Sequence, residues 1–293
     1  MSRHHSFLPL LATFAAVGLL SFMDALMKSA SLAGGVYTAA FLRSSIAAAL
    51  IVPVWLGGGG RWPEWAVLRL HLLRGVVATF MALLFFYALT ELPLAETIAI
   101  SFVAPLVALW LAAWLLSERI ERQAIGAAVL GMVGTLVIVG GRIGRERMDE
   151  GAWLGLLAII ASALLYAWNL VLQRQQAQVA RPAEVASFHS GVATVILALG
   201  LPRLWQTPTM PVLSQAGASA LLTVAGSLLF AWAYARAEAQ RLVPIEYSGF
   251  LWAVLFGWLF FREAVTPATL TGTALIVGGC WIAARRRPEQ VMV

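Results

Sequence analysis

The sequence is short of charge. Only 12% of its 293 residues are charged, against about a quarter in soluble domains. It is 61% hydrophobic with a mean hydropathy of +0.84. So little polar surface excludes a water-facing fold and points to a chain that crosses a bilayer many times. Cysteine is nearly missing. Cys280 has no partner for an internal disulfide and lies in an apolar run, where it reads as a small buried filler. Lysine is as scarce, since Lys28 stands alone and the rest of the positive charge is arginine. There is no His-Glu-x-x-His, no Gly-x-Ser-x-Gly and no ligand cluster with metal spacing. Glycines 57–60 are not followed by Gly-Lys-Ser/Thr, so they read as a linker and not a phosphate loop. These absences argue against an enzyme, a cofactor or a bound metal, and they remove ATP as a direct energy source. A pI near 10 suggests nucleic acid only in a soluble chain. Here the arginines cluster between apolar runs, where they control topology, and no nucleic-acid partner is expected.

What is present is a series of apolar runs. Ten spans are predicted, at about 8–29, 36–56, 73–91, 94–116, 121–140, 152–173, 184–202, 213–235, 241–262 and 267–284. The first could pass for a signal peptide after Ser2-Arg3-His4-His5. Its apolar stretch is too long for that and continues through Asp24 and Lys28 in helical style, so it reads as a membrane helix. Residues 141–151 are the most polar stretch and separate two halves, 1–145 and 146–293. With the N-terminus in the cytoplasm, arginines 3, 61, 69, 74, 119, 122, 174, 181, 236, 241, 285, 286 and 287 fall inside. Lys28 and arginines 142, 145, 147, 203 and 262 fall outside. That bias predicts both termini in the cytoplasm.

Residues 94–121 carry about 20 apolar residues with Pro105 in their middle, enough at 1.5 Å each to span roughly 30 Å. Residues 239–266 echo them: Ile100/Ile245, Leu106/Leu251, Ala108/Ala253 and Glu118/Glu263 match at one offset. At an offset one residue longer, Lys28 falls on Arg174, Met23 on Asn169 and Arg43 on His189. Five spans per half means that the second half inserts upside down. The expected fold is therefore all-α and integral to the membrane, with ten transmembrane helices in two inverted five-helix repeats.

The proline-containing fourth span ending in Ser117-Glu118, its counterpart ending in Arg262-Glu263, the glycine-rich spans after each (Gly126, Gly131, Gly134; Gly272, Gly278, Gly279) and the run Tyr166-Ala167-Trp168-Asn169 carry a resemblance. The chain resembles the drug/metabolite transporter superfamily, EamA-type members, over nearly its whole length. The aromatic content also looks like the YddG-type exporters of aromatic amino acids. The resemblance implies alternating access, a cavity lined mainly by helices 1, 3, 4, 6, 8 and 9, and the bacterial inner membrane. Phe250 stands where the first half has Pro105, and Pro244 lies about two turns away, which puts a symmetric hinge in question.

Ionisable groups inside a span are costly and need a reason. Asp24 and Lys28 lie four apart on one face of the first helix, at a spacing that allows them to pair. Asp24, Lys28 and Arg43 fall toward the outer side; Asn169, Arg174, His189 and Glu246 fall toward the inner side. They read as two gate clusters around a central cavity, or as structural polar pairs and snorkelling side chains. Glu118 and Glu263, at joins between helices, read as helix N-terminal carboxylates. Tyr87, Phe102, Trp110, Tyr166, Trp168, Tyr247, Phe250 and Trp252 lie deep in spans. The face Thr97, Ser101, Pro105, Ala108 suggests a cavity wall. The expected substrate residues are Tyr87, Ser101, Phe102, Pro105, Tyr166, Trp168, Asn169, Glu246, Phe250 and Trp252. With Arg43 for a carboxylate and Glu246 for an ammonium, such a wall suits a zwitterion with an apolar side chain. The partners implied are a small-molecule substrate, an amino acid or similar metabolite, the lipid bilayer, and protons or an exchange substrate. The expected function is a secondary transporter that exports aromatic or neutral amino acids. The alternatives are a drug or other metabolite carrier, a membrane sensor or scaffold, and an intramembrane enzyme.

Overall fold

The computed structural model of the chain describes residues 7–108, 111, 122–143, 150–237, 242 and 245–284. Its long elements are helices, as expected where no water is available to satisfy a free backbone. In chain order they are α1 (Leu8–Gly34), α2 (Val36–Gly57), α3 (Trp65–Glu91), α4 (Leu94–Ser101), α5 (Arg122–Ile143), α6 (Glu150–Ala177), α7 (Pro182–Leu204), α8 (Met210–Tyr234), α9 (Gly249–Phe261) and α10 (Pro267–Ala284). Six of them, α1–α3 and α6–α8, are long and apolar enough to cross a membrane. The chain turns from α1 to α2 on one residue, Gly35, at φ +77°. Only glycine takes that conformation without strain, and a Cβ there would lie 2.9 Å from the Gln206 side chain.

The packing joins the two halves of the chain. α1 packs on α8, α3 on α6, α2 on α7, α4 on α9 and α5 on α10. The pattern is reciprocal: advancing each first-half helix by five positions, and moving each second-half helix back by five, turns the α1–α8 contact into α6–α3 and leaves the other three unchanged. Between α5 and α10 the backbones approach through glycines. A Cβ on Gly134 would sit 2.5 Å from the Gly272 carbonyl oxygen, and one on Gly272 2.5 Å from the Gly134 carbonyl oxygen. Small residues at such crossings are how helices associate where the hydrophobic effect is weak.

Two expected spans are broken. α4 stops at Ser101, passes through a turn at Phe102 and Val103, and resumes over residues 104–108. Pro105 explains this, because it offers no N–H to the Ser101 carbonyl and its ring would collide with that group. The turn tightens into three-residue bonds, such as Val103 N–H to Ile100 O at 3.1 Å. The second break, at Tyr247 and Ser248, precedes α9 and lies at the matching offset, although no proline follows it. Symmetry of the breaks thus survives the loss of the proline. α3 also begins eight residues before the predicted edge, at Trp65. Trp110, Glu118, Pro244 and the side chain of Arg174 lie outside the described residues.

Candidate functional site

The buried polar groups occupy three levels of the bundle. At one end, Lys28 on α1 pairs with Glu263, donates to the Leu92 carbonyl at 2.7 Å and lies over the Phe261 ring. Glu263 also accepts the Leu94 N–H at 2.7 Å, so it caps the first turn of α4, where the helix dipole favours a carboxylate. The helix that follows Glu263, α10, is capped by Thr266, which accepts the Thr269 N–H at 3.1 Å. The ion pair that Lys28 forms with Glu263 spans 235 residues, and Asp24 turns toward Arg43.

At the opposite end, roughly 27 Å along α3 by its rise per residue, a chain of side chains crosses from α3 to α6 and α7. Arg74 donates to Asn169 Oδ1 at 3.2 Å and to Gln176 Oε1; the Gln176 amide bonds His71 Nδ1; His71 Nε2 meets Glu184 Oε1 at 2.9 Å. With Oε1 of Gln176 taken by Arg74, its NH2 must donate to Nδ1, so His71 carries its proton on Nε2 and donates to Glu184. His71 stacks on Phe188, with centroids 4.5 Å apart, and Trp55 and Trp62 meet the same ring edge-on. Asn169 is thus a member of this structural network. His71, Arg74, Gln176 and Glu184 were missed as site-level residues. Their signal is weak but present: His71 and Arg74 are three apart on α3, and Asn169 and Gln176 seven apart on α6, each pair on one face.

Between the two ends lies the candidate site. Asp24 (α1) and Arg43 (α2) are within electrostatic reach of each other. Arg43 also stacks over Phe86 of α3, 5.1 Å from its centroid. Tyr166 (α6) lies within reach of both Asp24 and Glu246, and Tyr234 (α8) donates its hydroxyl to Glu246. His189 (α7) faces the guanidinium groups of Arg43 and Arg74. Asp24, Arg43, Tyr166, His189 and Glu246 all keep partial accessible surface deep in the bundle, as side chains lining an internal chamber do. Arg43 Nε and His189 Nδ1 are buried without a hydrogen-bond partner among the described residues. Such groups are costly unless something occupies the chamber with them. Of the two expected gate clusters, Asp24, Arg43, His189 and Glu246 fall in this central group, whereas Lys28 and Asn169 belong to the networks at the two ends.

The remaining predicted residues divide. Phe102 and Tyr247, at the two helix breaks, meet edge-on beside Glu246. Ser101 donates back to Ile98 O at 2.7 Å, and Pro105 is partly exposed next to this wall. Thr97 is fully buried and bonds within its own helix, so it is not a wall residue. Phe250 is core, 7% exposed. Trp252 packs between Phe14 and Phe256 against Gly18, joining α9 to α1. Trp168 is 38% exposed on the outer face of α6. Tyr87 lies at the far end of α3 near Glu91 and Glu150. Trp168 thus faces outward, while Phe250 belongs to the core cluster against which Phe102 and Tyr247 pack. Arg43 and His189 come from α2 and α7, outside the helices the resemblance implies.

The EamA-like transporter family matches this chain twice, at residues 7–140 and 153–285. The chain belongs to the EamA-like transporter family. It is 28% identical over 264 residues to the pseudopaline exporter of Pseudomonas aeruginosa (strain UCBPP-PA14), covering 89% of this chain and 90% of that one. It is 26% identical over 245 residues to the riboflavin transporter of Brucella anthropi, covering 82% and 84%. It is 24% identical over 248 residues to the S-adenosylmethionine uptake transporter of Rickettsia bellii, covering 82% and 81%. A solved crystal structure shares the fold, with a TM-score of 0.64 at 24% identity over 94% of this chain and 96% of that one. The chain is a multi-pass membrane protein of a family that carries small molecules.

Proposed function

We propose that this transporter exports aromatic and other neutral amino acids across the bacterial inner membrane by alternating access. The observation that carries the reading is the central constellation. Arg43, with a buried Nε that no described protein group satisfies, is placed to hold a carboxylate. Glu246, held by a neutral tyrosine and facing no described cation, is placed to hold an ammonium. Phe102, Tyr166 and Tyr247 supply an aromatic wall between them. The reciprocal helix pairing and the double family match support two inverted five-helix repeats, ten spans in all, with 1–145 and 146–293 as the units. The arginine distribution supports both termini in the cytoplasm. The ends of the chamber would open in turn, by release of the Lys28–Glu263 pair on one side and of the Arg74 network on the other.

The cargoes named for the relatives favour a second reading, in which the same chamber holds a larger metabolite. Reconstituted protein distinguishes the two. Liposomes preloaded with a panel of unlabelled amino acids, riboflavin or S-adenosylmethionine are given a trace of the same labelled compound outside. Saturable counterflow of phenylalanine, tryptophan or leucine supports the amino-acid reading. Counterflow of only the larger compounds replaces it with the second.

A further inference from the structure

Two helix registers fix the height of His189 in the bundle. α7 runs antiparallel to α2: Tyr37 donates its hydroxyl to the Leu197 carbonyl at 2.6 Å, and Ser187 donates to the Ile51 carbonyl at 3.3 Å. Between those bonds Arg43 falls nearest residue 193 of α7, so His189 lies about one turn from it, toward the Arg74 end. α7 runs parallel to α3: His71 stacks on Phe188, and a Cβ on Gly75 would lie 2.5 Å from the Val192 side chain. His189 is therefore within a turn of Arg74 as well. The guanidinium of Arg43 leans the other way, over Phe86, about three turns beyond Arg74 on α3. Tyr166 lies between these heights. α3 and α6 are joined by the bonds Arg74 to Asn169 and Ser162 to the Met81 carbonyl, and Tyr166 falls between the two. An anchor for a carboxylate, an aromatic ring and an imidazole thus follow one another along the site.

His189 Nδ1 is buried with no hydrogen-bond partner among the described residues. Nothing among those residues holds the ring by a hydrogen bond, and χ2 of a histidine is a broad two-fold torsion, so the imidazole is free to turn a nitrogen toward the site. Arg74, at a similar height, is engaged by Asn169 and Gln176. We propose that His189 is a specificity-determining residue that hydrogen-bonds a hydroxyl at the far end of the cargo's ring, so that phenolic amino acids such as tyrosine are preferred to phenylalanine. The inference rests on the amino-acid reading and deepens it. The carboxylate on Arg43 and the ammonium on Glu246 hold one end of the cargo, and its ring lies along Tyr166 toward the Arg74 end. A hydroxyl both donates and accepts, so it pairs with the imidazole nitrogen in either tautomer. Phenylalanine in the same pose leaves that nitrogen unpaired, which is costly in a buried place. A site built to bond a hydroxyl rejects the analogue that lacks it more sharply than an apolar pocket rejects a change in size.

The test uses the full chain in liposomes and counterflow of labelled tyrosine, phenylalanine and 4-fluorophenylalanine. The fluorine takes the position of the hydroxyl but hydrogen-bonds weakly. With the wild-type chain, the Michaelis constant for tyrosine is expected to be about tenfold lower than for the other two, which corresponds to about 1.4 kcal/mol for one hydrogen bond. His189→Leu removes the bonding atom and should bring the ratio of the tyrosine and phenylalanine constants close to one, whatever its effect on each constant. His189→Asn, whose amide reaches the place of Nδ1, should restore part of the preference. A merely structural His189 would shift both constants together and leave their ratio as in the wild type, and that result overturns the proposal. Equal wild-type constants for tyrosine and phenylalanine, as when a water satisfies Nδ1, overturn it too, and so does a 4-fluorophenylalanine constant as low as that of tyrosine. In these cases the amino-acid reading stands. The wild-type comparisons decide the matter even where a variant fails to fold. Carriage of none of the three contradicts the amino-acid reading itself and removes the proposal with it.

Discussion

Phe102 and Tyr247 meet edge-on, with ring centroids 5.4 Å apart and planes at 87°. Each is the first residue of the break in its own helix, and the two occupy matching positions in the two halves of the chain. The breaks therefore face one another at the chamber. Gly249, just beyond the second, leaves room for this: a Cβ there would contact Val17 at 3.4 Å and Phe102 at 3.6 Å. The sulfhydryl of Cys280 closes the group from α10, 3.5 Å from the Phe102 carbonyl.

Aromatic pairs of this geometry contribute about 0.5–1.5 kcal/mol beyond their buried area. A double-mutant cycle of Phe102→Leu and Tyr247→Leu, read by thermal unfolding in detergent, is expected to give a coupling energy in that range. Both single variants should also reduce amino-acid flux. Additive effects on stability would show that the ring pair does not tie the two breaks together.

Lys28 is buried and its charge is balanced by Glu263. Lys28→Met leaves that carboxylate and the α4 N-terminus with an uncompensated charge, at a cost of about 3–5 kcal/mol. Adding Glu263→Gln should restore much of the lost stability, because the unpaired charge disappears. Unfolding midpoints of the two single variants and the double variant check this; a double variant as unstable as the sum of the singles would refute the pairing.

Gln176 joins Arg74 to His71. Gln176→Leu has nearly the same length but leaves a guanidinium N–H and an imidazole nitrogen without partners, at roughly 3 kcal/mol. The variant should unfold earlier and leave the α3–α6 end more accessible. A cysteine placed at Asn169 in that background, Cys280 replaced by Ala, should label faster with a water-soluble maleimide than in the parent.

Gly134 and Gly272 set the approach of α5 to α10. Gly272→Val forces these backbones apart, and overpacking of this kind costs about 1–3 kcal/mol. Lower thermal stability with the flux-to-stability relation unchanged is the expected result, since this contact lies outside the chamber.

Much of this architecture is legible in the sequence because it follows from continuous chemistry. Apolar runs long enough for a bilayer mark the helices, and Pro105 marks the break in α4 through its missing N–H. The break at Tyr247 has no such mark, since Phe250 replaces the proline, and only its matching position in the second half points to it. Local spacing alone does not find the partner of Lys28: it pairs with Glu263 across the bundle, and no pattern within α1 encodes that. Asp24, Arg43, His189 and Glu246 were recognisable as polar groups in apolar surroundings. Their convergence in one chamber depends on how α1, α2 and α7 pack against the second helix break. Arg74 was hidden by lying at a predicted helix edge, where an arginine reads as a topology signal.

The most direct test of the central claim is the Michaelis constant for phenylalanine in reconstituted liposomes, measured for the wild-type chain, Arg43→Met and Glu246→Gln. Truncating one partner of a buried charge pair costs about 2–5 kcal/mol. Each variant, shown to be folded by its unfolding transition, is therefore expected to raise the constant by about thirtyfold or more. Phenylalanine transport with an unchanged constant in either variant would contradict the two-ended capture of a zwitterion between Arg43 and Glu246.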